Sequence, residues 1–252
     1  MKRYRTLLIP LIALLTLHGL PAGASTEASL QYNPARWSPL APYIMQDGLQ
    51  GPDSISAYDD KGNLVEKARL EYDPRGRLLK EIFYDSDGKR QGFNAYEYEA
   101  GNPVAQKLYN NKEELISSEI RSYAKGNLQS IVYQDGKGQR ILTHSFKYSP
   151  GKVQGAEISA DTQDAFVLQV KDGQIQRIQF TSSTGEDLGY IEFKYDEQGR
   201  LIERHRKSPG AVERCRHSYD SSGRLTSYIY EVQSGKKWIQ TRKITLEYGS
   251  AA

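Results

Sequence analysis

Cysteine is nearly missing from this sequence: Cys215 is the only one in 252 residues. No disulfide can form within the chain, so strand pairing and burial alone must hold the fold. Catalytic signatures are also missing. There is no Gly-x-Ser-x-Gly elbow and no His-Glu-x-x-His pair, and only His144, His205 and His217 follow residue 24, which leaves hydrolase and zinc-hydrolase mechanisms little to stand on. No apolar run after residue 24 is long enough to span a bilayer as a helix. Net charge is lacking too. Without Lys2, Arg3 and Arg5 the 34 basic side chains fall to 31, which balance 31 acidic ones. A nucleic acid partner therefore loses its electrostatic support.

The first residues carry most of the apolar content that is present. Lys2, Arg3 and Arg5 precede an apolar run from Thr6 to Leu20, which ends in Pro21-Ala22-Gly23-Ala24-Ser25. That order reads as a secretory signal peptide cut after Ala24, and it places the mature protein in the periplasm or outside the cell. Residues 25–52, with Pro34, Pro39, Pro42 and Pro52, read as a Pro-rich leader; Trp37, Tyr43, Ile44 and Met45 could let it cap a sheet edge. Residues 53–248 are the repeat domain, and 249–252 a tail.

A period runs through that domain. Aligned on a closing aromatic, the units end at Tyr72, Tyr98, Tyr123, Tyr148, Val170, Tyr195, Tyr219 and Tyr248, with spacings of 26, 25, 25, 22, 25, 24 and 29. Each of the eight units reads as a turn, a strand, a second turn and a second strand. An Asp can bond the backbone two residues on, and a following Gly takes the positive φ of a tight reversal. Strand faces alternate, as in Tyr195/Phe193/Ile191 against Lys194/Glu192, the period-2 pattern of a half-buried antiparallel strand. After each turn glycine the apolar positions change parity, as from Leu128 to Ile131, which predicts a bulge. The predicted fold is all-β: a meander of sixteen strands, paired only in sequence order, forming a curled or twisted elongated sheet. A membrane barrel is excluded because the second face carries Glu, Lys and Arg where lipid would lie.

Tyr-Asp-x-x-Gly-Arg-Leu recurs at residues 72–78, 195–201 and 219–225. It resembles the YD repeat of Rhs proteins, teneurins and insecticidal toxin-complex components, over about residues 53–248. The resemblance implies a spiralling β-hairpin sheet, which in large members curls into a hollow shell. A MORN-like repeat, also rich in Gly and Tyr, fits this signature less well.

Candidate sites are few. Asp85-Ser86-Asp87-Gly88 looks like a fragment of a calcium loop but lacks further oxygen ligands, so it reads as a hairpin turn. Cys215 and His217 share a strand face, while His205 has the opposite parity, which argues against zinc. No metal and no cofactor are expected. Glu119 and Arg121 interrupt the dry face, and Ile120 between them reads as a register shift. The unit 195–219 departs most from pattern: Arg204, Arg206 and His217 stand where neighbours hold Ile, Tyr, Phe or Leu. They form a candidate anion patch, with His217 tuning affinity near its ordinary pKa of about 6.5. Tyr96, Tyr98, Tyr148, Tyr195 and Tyr219 form a candidate aromatic face, since 18 Tyr stand against 6 Phe and a phenol can both stack and hydrogen-bond. The sequence thus reads as an exported, non-catalytic β-repeat protein that binds a protein or glycan partner, anionic if the Arg patch serves, at the bacterial envelope. The alternatives are an envelope polysaccharide enzyme using paired carboxylates and a MORN-like scaffold.

Overall fold

The computed structural model describes residues 51 to 249. They form sixteen strands and, among the described residues, no helix. The strands are β1 (Ser54–Tyr58), β2 (Leu64–Tyr72), β3 (Leu78–Asp85), β4 (Arg90–Glu99), β5 (Asn102–Asn110), β6 (Leu115–Ala124), β7 (Asn127–Asp135) and β8 (Arg140–Ser149), then β9 (Lys152–Ile158), β10 (Gln163–Lys171), β11 (Gln174–Thr181), β12 (Asp187–Tyr195), β13 (Leu201–Ser208), β14 (Ala211–Tyr219), β15 (Leu225–Ser234) and β16 (Lys237–Glu247). The signal peptide, its cleavage after Ala24 and nearly all of the Pro-rich leader lie outside the described residues.

Every strand pairs antiparallel with the next. β1 also pairs with β16, Ser54 facing Glu247 and Tyr58 facing Lys243, so the sheet closes into a barrel. Closure corrects two expectations: the sheet is not an open curl, and pairing is not confined to sequential strands. The cause lies in the bulges. Register slips beside the closing aromatic at Glu71/Tyr72, Glu97/Tyr98, Ser122/Tyr123, Lys194/Tyr195 and Ser218/Tyr219. It slips again near the other rim, for example at Phe83/Tyr84, Tyr133/Gln134 and Phe180/Thr181. A bulge bends its strand and tightens the right-handed twist. Repeated at both rims, it coils the sheet until the two end strands meet. Each slip falls at a parity change: Tyr123 faces Leu128 and Ser122 faces Ser130, leaving Gln129 over.

The Tyr-Asp-x-x-Gly-Arg-Leu signature ties the start of a unit to the aromatic that closes it. Asp73 Oδ1 accepts the backbone N–H of Arg75 and of Arg77, both at 2.9 Å, while Asp73 Oδ2 accepts Arg77 Nε at 2.6 Å. The Arg77 guanidinium then lies 4.9 Å over the ring of Tyr98, the closing aromatic of the same unit. Finally the Tyr98 hydroxyl donates back to the Leu78 carbonyl at 2.8 Å, beside the bulge that interrupts the ladder. Arg200 with Tyr219, and Arg224 with Tyr248, repeat this arrangement.

Two-residue turns replace the signature elsewhere on that rim, and those at Ala100 and Lys125 are costly. Lys125 sits at φ 52°, followed by Gly126 at φ 79°. A side chain in the left-handed region costs about 1 kcal/mol, less for Asn or Gly. Lys125→Asn is therefore expected to raise stability by roughly 0.5–1 kcal/mol, seen as a higher urea midpoint at constant slope. An unchanged or lower midpoint would contradict this account of the turn.

The inner face is packed, not hollow. Ile55, Ala57, Ala68, Leu168, Ile175, Ile178 and Ile244 are completely buried and belong to one cluster. Glycines opposite aromatic residues let rings lie flat on the wall: a Cβ at Gly155 would stand 2.0 Å from Phe166 Cζ, between Phe146 and Phe166 in register. The outer wall is charged. Arg69 pairs with Glu71, Lys107 with Glu97, Arg177 with Glu192 and Lys194 with Glu203, where a lipid-facing barrel needs an apolar band.

Candidate functional site

Closure decides where the expected aromatic face goes. Tyr98, Tyr148, Tyr195 and Tyr219 are partly buried against the core, and their hydroxyls donate to the carbonyls of Leu78, Leu128, Ile175 and Leu201 at 2.7–2.8 Å. Burial pushes the Tyr195 phenol up to about 12. Tyr96 is buried outright and bonds the Glu81 carboxylate. The expectation of an open Tyr-rich concave face is corrected: that face is the interior, and four of the five tyrosines clasp together the two strands of their own unit.

The structure brings Arg204 and His217 together inside the barrel, yet engages or neutralises each member of the expected anion patch. Arg204 is buried and hydrogen-bonds the side chains of Cys215 and Tyr230. Arg206 donates to Glu213 across β13 and β14 at 2.9 Å, so an acidic partner already lies opposite it. His217 is buried, and desolvation, then the charge of Arg204, lowers its pKa to about 3. Tuning near pH 6.5 is thus corrected: the imidazole is neutral throughout the physiological range.

That shift carries a stability consequence. The unfolded chain protonates His217 below about 6.5 and the folded chain only below about 3. Between those values the unfolded state binds more protons, so stability falls as pH falls from 6.5 toward 3 and gains nothing above 6.5. His217→Phe is expected to flatten that part of the stability–pH curve. A ring titrating near 6.5 in the folded protein by NMR would contradict the assignment.

The two metal readings of the sequence also resolve. Asp85 Oδ1 accepts the backbone N–H of Asp87 at 3.1 Å and of Lys89 at 2.8 Å, an ordinary turn. His205 stacks edge-on to Trp238 on the outer wall, ring centroids 5.8 Å apart, while Cys215 and His217 face inward. Among the described residues no group of three His, Cys, Asp or Glu converges as a metal site.

Sequence reasoning missed a polar stripe on the inner face of β3 to β9. Glu81 faces Asn94, Tyr96 faces Gln106, Glu119 lies between Gln106 and Tyr133, and His144 faces Glu157. Arg121 donates to Glu119 at 2.8 Å with both side chains buried, and His144 Nε2 lies 2.8 Å from Glu157. No register shift is involved: Ile120 simply points out, 38% exposed. Asn94 Oδ1, Gln106 Oε1, Arg121 Nη1 and Tyr133 OH are buried without a hydrogen-bond partner among the described residues. The stripe reaches across the interior. The Glu81 carboxylate acts on the Tyr228 hydroxyl although β2, β1 and β16 separate β3 from β15 around the wall. The signal was present in the sequence as Glu119 and Arg121 at period 2 on the dry face.

An outer cluster was missed as well, since its members, from Glu203 to Trp238, are spread over the four strands β13 to β16. Glu231 accepts Arg214 Nε and Arg216 Nε, each at 2.7 Å, and the Arg214 guanidinium lies 4.2 Å over the ring of Trp238. With Glu203 and His205 they make an aromatic and charged surface on the wall of β13 to β16.

No family model and no curated protein sequence matches the chain. Among solved structures, a crystal structure of TcdB2-TccC3-Cdc42 aligns with 76% of the chain at 15% identity and a TM-score of 0.29; the chain spans 14% of that structure's length. A porin-like protein from Bacteroides uniformis aligns with 79% of the chain and 96% of its own length, at 12% identity and a TM-score of 0.37. Another, from Bacteroides vulgatus, aligns with 79% and 99%, at 10% identity and a TM-score of 0.46. At these scores the likenesses bear on no residue's role.

Proposed function

We propose that the protein is an exported, non-catalytic β-repeat barrel that binds a protein partner with the outer wall of β13 to β16. The observation that carries this reading is the Trp238 ring held between Arg214 and His205. Trp and Arg supply most of the energy where proteins meet, and Glu231 holds both arginines in place, which lowers the ordering cost of binding. Carbohydrate stacking on the tyrosines loses its support because those rings are interior. The carboxylates of the inner stripe are already engaged, which weakens a carboxylate mechanism: Glu81 accepts from Asn94 and Tyr96, Glu119 from Arg121, and Glu157 lies against His144.

Photo-crosslinking tests the reading. A benzoylphenylalanine at Arg216 is expected to capture one discrete envelope protein, and the same group at Gln154, across the barrel on β9, to capture none. Equal capture from both positions, or tight oligosaccharide binding with no crosslink, overturns it.

A further inference from the structure

β16 is the longest strand and β1, its neighbour at the closure, is short. Their pairing stops at Tyr58 opposite Lys243. From Lys237 to Arg242, β16 therefore bonds β15 on one side and no strand among the described residues on the other. At 3.3 Å per residue this bare edge is roughly 20 Å long. The turn at Gly235 and Lys236 makes Ser234 and Lys237 a facing pair; in a two-residue hairpin that pair is hydrogen-bonded, so alternation turns the backbone N–H of Trp238 and of Gln240 toward the bare side. Ile239, 48% exposed, offers an apolar side chain there. An edge with unpaired donors and apolar side chains is a template for another strand.

Charge selects the occupant. Lys236, Lys237 and Lys243 make no ion pair among the described residues and flank the edge at both ends. A second copy pairing antiparallel about Ile239 and Gln240 would set Lys237 against Arg242 and Lys236 against Lys243, and like charges facing across strands are destabilising. An acidic strand meets the same lysines favourably.

We propose that the Lys237–Arg242 edge of β16 is a strand-addition site that takes an extended acidic segment of a partner protein. The inference rests on the partner-binding reading above and names the chemistry of that partner.

The test uses the purified full chain and two acetylated octapeptides, one alternating Val and Glu, the other Val and Lys. The acidic peptide is expected to bind at least tenfold tighter, to lose affinity with added salt, and to slow hydrogen exchange at the Trp238 and Gln240 amides. Gln240→Pro removes an edge donor while sparing the bonds to β15, and should weaken binding at least tenfold. The triple variant Lys236→Glu, Lys237→Glu and Lys243→Glu leaves the backbone alone and should reverse the preference. Equal binding of both peptides overturns the proposal. So does slow exchange at both amides in the free protein: sedimentation as a dimer then assigns the edge to a second copy, and as a monomer to the chain's own N-terminal residues. Loss of peptide binding with the Arg216 crosslink intact defeats the edge inference alone; loss of both defeats the partner-binding reading too.

Discussion

Glu119→Leu is expected to cost about 3–5 kcal/mol of stability, because it strands the Arg121 guanidinium inside the barrel. The side chains of Glu119 and Arg121 are only 6% and 1% exposed, so water cannot replace the lost carboxylate. Arg121 Nη1 already lacks a hydrogen-bond partner among the described residues, and the neutral side chains of Gln106 and Tyr133, which face Glu119, cannot replace its charge. The urea midpoint should fall by more than about 1 M, given slopes of 1–3 kcal/mol/M. The double variant Glu119→Leu with Arg121→Met should recover most of the loss, since a buried pair replaced by apolar groups of similar volume is often neutral or stabilising. A single variant within about 0.5 kcal/mol of the parent would show that water reaches the stripe and screens it.

A second large effect is expected at the closure. Ser56 faces Thr245 across β1 and β16, and facing residues hold their Cβ atoms about 4.5–5.5 Å apart. Ser56→Cys with Thr245→Cys should oxidise to a disulfide after a small backbone adjustment. Because it joins the two ends of the repeat domain, it closes a very long loop in the unfolded chain. The expected gain is about 3–5 kcal/mol, read as the difference between oxidised and reduced unfolding midpoints. Cys215 stays out of the exchange: burial pushes its thiol up to about 11. An open curl would keep the two strands apart, so failure of the pair to oxidise in the native protein would refute closure.

Legibility followed the range of the interactions. The turn at Asp73, the face alternation through Tyr195 and the bulge after Leu128 are set within a few residues, and all could be read from the sequence. Closure could not. β1 is the five-residue Ser-Ile-Ser-Ala-Tyr, without the Asp-x-x-Gly-Arg-Leu signature, and its meeting with β16 depends on twist summed over every bulge. The site suffered for the same reason. An open sheet leaves Tyr98 and Tyr148 free to stack on a ligand, whereas closure turns them into clasps and makes Arg204 interior. Glu119 and Arg121 were visible but misread, because an ion pair inside a dry face looks like a shifted register until the opposite wall is known to cover it. Trp238 and Arg214 gave no linear signal, being joined only through β15.

The ring also sets a rule for how such a chain can grow. An open array tolerates gain or loss of a unit because each contacts only its neighbours. Here the first strand must meet the last, so unit number becomes a property of the whole molecule. One added hairpin would take sixteen strands to eighteen, and with diameter roughly proportional to strand number the cross-section would widen by about a quarter. Every inward side chain from Ile55 to Leu246 would then have to be larger, or the centre would stand empty. Duplication of a unit, the easiest genetic step for a repeat, is therefore expected to be lethal to this fold, while substitutions on the outer wall remain cheap.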